Sequence, residues 1–460
     1  MPTLTDLPFE LLLLIFSDLT LGDFCALSYT SRAMPALVKP FLYKNINFTW
    51  YGNERDSLSR SPSNARMRNL LLSVVRGPKK ALWTEHLTLG SYDASAETAW
   101  EDGWVPDPTD EALIRDVAIR PLHRLGQKRQ EIWTEALRQG NSAILAALLV
   151  LQLPKLKSLR LELCGMTNWL GGFLSNIVDC SMAQETGIPS NSILYNLENV
   201  ELTTKNHSAV LDYNIYFLCR LPSIKSIDID ILMECDPQRS YRLGPSTITE
   251  LTWRDPGQQS YRLKPLLAQA TSLKSLTYYN RPYPNGMAAM CDVLGSALEP
   301  VSETLEHLVL YLPLQTPNHN STNRAFRGFG NMYMGTIGTI EHLTRLETAE
   351  IPLEILFTDS TIHSICFLLI LKFTLPKERL RKLCLSASAG WESKWGKWEE
   401  TCIKLVGGYL QDSPKRRAPL EELVIKLYDL EGELPQELVR ICSDAGVVCS
   451  LVHVSGFWNL

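Results

Sequence analysis

The sequence lacks most of the spacings by which catalysis or membrane insertion is read. Its 460 residues contain no Cys-x-x-Cys pair, no His-x-x-x-His pair and no Gly-x-Ser-x-Gly elbow. Gly328-Phe329-Gly330 is the nearest approach to a nucleotide loop, yet it has no third glycine and follows no strand pattern. The eight histidines have no cysteine neighbours at zinc spacing. Eleven cysteines, an odd number, several of them inside apolar runs, fit buried reduced thiols better than a disulfide framework. Charge of one sign is also missing: 45 basic against 50 acidic residues leave a net charge of −5, too little to steer a polyanion. The apolar runs Leu11–Phe16, Ile144–Leu151 and Ile365–Leu371 fall far short of the roughly 20 residues of a spanning helix. No Lys or Arg precedes Arg32, so Leu11–Phe16 has no basic flank of a signal peptide. These absences predict a soluble protein of the cytoplasm or nucleus that binds neither nucleic acid nor membrane, holds no cofactor or metal, and is not an enzyme.

What is present is a large apolar fraction, 45%, enough for a sizeable core. At roughly 150 residues per domain the length suggests about three domains or one elongated repeat array. The first fifty residues stand apart. Asp6 and Pro8 suit a helix start, and Leu11, Leu12, Ile15, Phe16 and Leu19 then share one wide face. Thr20–Gly22 interrupts this helix, Asp23 can cap a second through Leu27, and a third runs from about Arg32 to Val38, bounded by Pro40. Three short helices barely build a core alone, so this unit should lean on a partner.

Leu7-Pro8-Phe9-Glu10-Leu11, Ile15-Phe16, Leu19, Asp23, Leu27-Ser28, Ser31-Arg32 and the trailing Pro40-Phe41-Leu42-Tyr43 together resemble an F-box, in a form found in filamentous fungi. The resemblance covers about a tenth of the chain and departs from the family at Ala33-Met34-Pro35. It implies docking on the Skp adaptor of a cullin-based ubiquitin ligase. By position it implies Leu7, Pro8, Leu11, Ile15, Phe16, Leu19 and Leu27 as the main adaptor contacts.

Further along, one pattern returns: apolar-x-x-apolar-x-apolar. It reads Leu156-x-x-Leu159-x-Leu161, Leu197-x-x-Val200-x-Leu202, Ile224-x-x-Ile227-x-Ile229 and Ile248-x-x-Leu251-x-Trp253. It continues as Leu273-x-x-Leu276-x-Tyr278, Leu305-x-x-Leu308-x-Leu310, Leu380-x-x-Leu383-x-Leu385 and Leu420-x-x-Leu423-x-Ile425. Weaker copies sit at Thr84–Leu89 and Leu343–Leu346. Each is a period-2 strand, and the stretches between them, such as Ile132–Leu151 and Lys397–Leu410, are compatible with helix. The pattern resembles leucine-rich repeats. The expected fold class is therefore an α/β repeat: a short three-helix F-box, then an irregular leucine-rich-repeat horseshoe with parallel strands on its concave face and helices and loops outside. The expected division is 1–48 for the F-box, 49–79 for a helical connector and 80–460 for the repeats, with insertions near 92–130 and 313–338.

Because side chains alternate along a strand, residues between the buried ones should face outward. Arg160, Glu162, Glu201, Asp228, Asp230, Arg254, Tyr279 and Tyr311 are thus the candidate contacts for a protein target. Trp391, Trp395 and Trp398 form one helical stripe, which reads as packing or as an aromatic clamp. Lys415-Arg416-Arg417 reads as a solvated loop or a weak anion patch. Two functions fit: a substrate-recognition subunit of a Skp–cullin–F-box ubiquitin ligase, partnered with the Skp adaptor, a cullin and a target protein, or a repeat scaffold for protein interaction outside any ligase.

Overall fold

The computed structural model describes residues 7–50, 62–91, 107–119, 127–138, 142–163, 194–204, 210–212, 218–219, 221–230, 232–234, 246–255, 260–280, 289–311, 333–334, 340–356, 375–376, 379–388, 398–411, 420–428 and 432–454. Most of the 313–338 insertion, residues 92–106 and 120–126 of the earlier one, Trp391, Trp395 and Lys415-Arg416-Arg417 lie outside this set. The chain forms two units, 1–224 and 225–460.

The first unit opens with α1 (Phe9–Ser17), α2 (Leu21–Ser28) and α3 (Met34–Lys44). Asp23 does not cap α2, as the sequence suggested. Thr20 does: its hydroxyl accepts from the Asp23 N–H at 3.3 Å, and the Asp23 carboxylate accepts from the Thr20 N–H at 2.8 Å. Two otherwise orphaned donors are satisfied reciprocally. Nor does Pro40 end the third helix, which runs through it to Lys44. Leu12, Phe16, Phe24 and Val38 are buried between the three helices, with Leu7, Leu19, Leu27 and Phe41 packed around them. Phe16 meets Phe24 at 5.8 Å and Phe41 at 4.9 Å, both edge-on.

The helix α3 passes directly into β1 (Asn45–Trp50). Strand β1 pairs in parallel with β2 (His86–Ser91), β2 with β3 (Ser158–Leu163), and β3 with β4 (Asn199–Thr204). The sheet therefore begins at Asn45, not near residue 80, and α4 (Pro62–Arg76) is the crossover of the first repeat instead of a free connector. Parallel neighbours require such a crossover. The next crossover is richer: α5 (Pro78–Ala81) precedes β2, while α6 (Pro108–Ile114), a π-helical turn (Arg115–Ile119), α7 (Gln127–Arg138) and α8 (Ser142–Leu151) follow it. The helix-compatible stretch Ile132–Leu151 falls on α7 and α8 in its described residues. In-register Leu87, Leu159 and Val200 stack as one buried row, and Leu89, Leu161 and Leu202 as the next.

The residue before each of the first three strands carries alternating charge: Lys44, Glu85 and Lys157. Glu85 is reached by Lys157 at 3.0 Å and by Lys44 at 4.0 Å. Burial pushes the Glu85 carboxyl up, but the two lysines outweigh it and hold it below its usual range. This contribution is complete above the ordinary carboxylate range and fades as pH falls through the depressed one. Exposure limits each pair to about 0.2–1 kcal/mol.

Among its described residues the second unit carries a ladder of eight parallel strands, besides a few strands of two or three residues: β5 (Ser226–Asp230), β6 (Glu250–Asp255), β7 (Ser275–Asn280), β8 (His307–Tyr311), β9 (Thr348–Pro352), β10 (Lys382–Ser388), β11 (Glu422–Tyr428) and β12 (Val448–Val454). Helices α9 (Ser260–Leu267), α10 (Cys291–Ala297), α11 (Trp398–Gln411) and α12 (Gln436–Ala445) lie between strands in sequence. One buried row runs through Ile227, Leu251, Leu276, Leu308, Ala349, Leu383 and Leu423. Ala349, not Leu346, is the central residue of its repeat, because Leu346 occupies the leading position held elsewhere by Leu305 and Leu380. Trp398 is fully buried at the start of α11, which favours packing over a clamp for that member of the stripe. Among the described residues no helix is long and apolar enough to cross a membrane.

Candidate interaction site

Two surfaces follow from this architecture, one on the three-helix unit and one on the outward side of the strands.

In the three-helix unit the wide apolar face of α1 divides. Leu12 and Phe16 point inward, while Leu11, Leu14, Ile15 and Leu21 are 44–67% exposed. Large apolar side chains this open, close together on a small unit, mark a surface made to be covered. Pro8 is exposed beside them, and Leu7, Leu19 and Leu27 are half-buried against the core. Phe16 corrects the expectation: at 2% exposure it belongs to the core between the helices and has no surface to offer a partner. Leu14 and Leu21 were not singled out in the sequence, although both fall on apolar helix positions.

This surface is joined to the repeats without a linker. Tyr43, near the end of α3, faces Trp83 at 6.2 Å, and the Lys80 ammonium lies 5.8 Å from the Tyr43 ring. These contacts pack the end of α3 against the segment that leads into β2.

On the outward side of the first unit, Arg160 and Glu201 sit opposite each other on β3 and β4 and form an exposed ion pair at 3.4 Å. The Glu162 side chain lies outside the described set. In the second unit the outward residues of β5–β11 make a connected polar surface. The Arg254 guanidinium donates to Asp228 on the neighbouring strand. The same guanidinium lies 5.4 Å from the ring of Tyr279, whose ring stacks on Tyr311 at 4.4 Å and 5°. Asp230 differs from expectation: it is buried, at 8% exposure, at the end of β5 where the alternation breaks.

Glu350, Lys426 and Tyr428, which no spacing in the sequence groups, complete this surface. The Glu350 carboxylate accepts from Lys426 at 2.6 Å and from the Tyr428 hydroxyl at 3.4 Å. The Tyr311 and Tyr428 hydroxyls also bond to each other. Burial pushes both phenols above their usual range, with the Glu350 charge adding to it. Glu350 is on β9 and Lys426 on β11, so their bridge crosses β10 between Cys384 and Ser386. Small side chains there let the long ones meet, and both are buried beneath despite their outward parity. Burial and then the Glu350 charge raise the Cys384 thiol to about 12.

That arrangement makes a prediction. In Glu350→Ala the roof opens and a repelling charge is lost, so Cys384 should react with iodoacetamide faster by about tenfold or more, since both access and thiolate fraction rise. An unchanged rate, measured by mass spectrometry of the Cys384 peptide, would contradict the bridge.

What the arrangement offers is shape, hydrogen-bonding groups and charge. The faces of Tyr279 are taken by Arg254 and Tyr311, so the column offers ring edges and hydroxyls outward. Among the described residues no three His, Cys, Asp or Glu side chains are grouped to hold a metal.

Comparison with known families agrees with the geometry. A model of F-box-like domains matches residues 4–49, and a model of leucine-rich repeat domains matches residues 57–234. No curated protein matches the chain significantly. The first match covers α1–α3 and most of β1. The second begins just before α4 and ends past β5, beyond which the same strand register continues to β12. An F-box-like domain followed by a leucine-rich-repeat region, in an α/β repeat fold, is an architecture typical of adaptor and receptor proteins that interact with other proteins.

Proposed function

We propose that this F-box protein with a leucine-rich-repeat region is the substrate-recognition subunit of a Skp–cullin–F-box ubiquitin ligase. The observation that carries the reading is the split face of α1: a sealed core of Leu12 and Phe16 on one side, and uncovered Leu11, Leu14 and Ile15 on the other. On this reading Leu7, Pro8, Leu11, Ile15, Leu19 and Leu27 contact the Skp adaptor, with Leu14 and Leu21 extending the patch. The adaptor brings the cullin. Contacts for the target protein are Arg160 and Glu201 in the first unit, with Glu162 by its position on β3, and Arg254, Tyr279, Tyr311, Glu350 and Lys426 in the second unit.

Such a subunit accelerates ubiquitin transfer by positioning alone. Holding target and charged enzyme together replaces a bimolecular encounter by an intramolecular one at an effective concentration in the millimolar range for well-matched spacing. No nucleophile or base of its own is required.

Reconstitution tests it. The full chain, mixed with the Skp adaptor and the cullin, should elute as one assembly, and a protein captured on the repeats should acquire ubiquitin only when all three are present. Capture without ubiquitin transfer in the complete assembly would favour the scaffold reading instead.

A further inference from the structure

At the end of the second unit α12 turns into β12 within a few residues. Gly446 takes the left-handed φ of 75° that closes the helix, a conformation a side chain would strain. The Val447 N–H then donates to the Cys442 carbonyl at 2.8 Å. This reversal lays β12 back along α12. Cys442 lies with Leu438 on the buried stripe of the helix and is itself fully buried. Cys449 pairs in register with Leu423, so it points toward the same interior, where it is half-buried. There the two thiols meet, the Cys442 S–H donating to the Cys449 sulfur. That bond holds Cys449 below the usual thiol range and Cys442 above it. Strand β12 ends the ladder, with Val448 and Val452 exposed, so Cys449 is the thiol of the pair that a small oxidant reaches first.

We propose that Cys442 and Cys449 form a modification site, a dithiol that a hydroperoxide closes to a disulfide tying α12 to the edge strand. The Cys449 thiolate attacks the peroxide oxygen, the O–O bond breaks, and the leaving oxygen takes a proton as water or alcohol. Cys449 becomes a sulfenic acid. Cys442 then gives up its proton and attacks that sulfur; the S–O bond breaks and hydroxide leaves with the proton as water. Two thiols lose two electrons in all, and one peroxide O–O bond is reduced. Thiol reductants reverse the step. Cys402 on α11 is the competing partner, since the Cys449 charge reaches it, but it is fully buried and its thiol is pushed up, first by that burial and then by Cys449.

The test uses the full chain, treated with hydrogen peroxide, alkylated, digested without reduction and analysed by mass. A peptide pair joining Cys442 to Cys449, lighter by two hydrogens and released by dithiothreitol, is expected before any other cross-link. In Cys442→Ser that pair should vanish and Cys449 should be trapped by dimedone as sulfenic acid; in Cys449→Ser, Cys442 should stay reduced. Melting by circular dichroism identifies a variant that has not folded, and the other variant then decides. A Cys402–Cys449 link, or an unpaired Cys449 sulfenic acid persisting in the unmodified sequence, would overturn the proposal. So would oxidation of the exposed Cys25 that leaves both thiols untouched.

Discussion

The double variant Leu11→Asp, Ile15→Asp is expected to lose Skp adaptor binding by about 100-fold or more while melting at nearly the same temperature as the parent. Both side chains are close to half exposed in the free chain, so little of the chain's own packing depends on them. Covering a leucine or isoleucine fully on docking is worth about 1.5–3 kcal/mol, and each tenfold in affinity is about 1.4 kcal/mol. With about half of each side chain already covered, the two lost anchors supply roughly 1.5–3 kcal/mol, close to the stated effect. Two carboxylates dragged into an apolar contact add desolvation to it. Calorimetric titration and thermal melting of the same preparations read both quantities. A variant that unfolds as well as failing to bind would mean that these side chains support the module itself.

Phe16→Ala should give the opposite signature. Phe16 is buried, edge-on to Phe24 and Phe41, which stack on each other at 5.5 Å. Truncating a buried phenylalanine costs about 3–5 kcal/mol. A three-helix unit of this size has little stability to spare. Amides of α1–α3 should therefore lose hydrogen-exchange protection, while β6–β11, in the other unit, keep theirs. Adaptor binding should weaken only in proportion to the fraction of unfolded helices. If binding fell as far as in the double variant with protection intact, Phe16 would be a contact after all.

The contrast between these neighbours explains what could be read in the sequence and what could not. Leu11, Leu12, Ile15 and Phe16 are equally apolar and share one helical face by spacing. Period alone cannot divide such a face into a core half and a docking half. That division depends on where α2 and α3 cross α1, which is decided by Phe24, Val38 and Phe41. The repeat strands were legible because leucines at two-residue spacing leave no doubt about the inward side. Where the central position holds Ala349, the leucine pattern points instead to Leu346, three residues away. Strands β1 and β12 are hidden for a related reason: Ile46, Phe48 and Cys449 stand where the neighbouring strands carry leucine.

On the outward side, alternation correctly chose Arg160, Glu201, Asp228, Arg254, Tyr279 and Tyr311 as facing away from the core rows. It could not find Glu350, Lys426 and Tyr428 as a group. Their meeting depends on the small side chains of Cys384 and Ser386 between two strands far apart in sequence. For Asp230, alternation was overridden by burial at the strand end.

Docking on the Skp adaptor is tested most directly by calorimetric titration of the intact chain with the purified adaptor. Saturable one-to-one binding at micromolar or tighter strength is expected, with a negative heat-capacity change, the mark of apolar side chains leaving water. No binding at micromolar concentrations, or binding that the Leu11→Asp, Ile15→Asp variant retains, would contradict it.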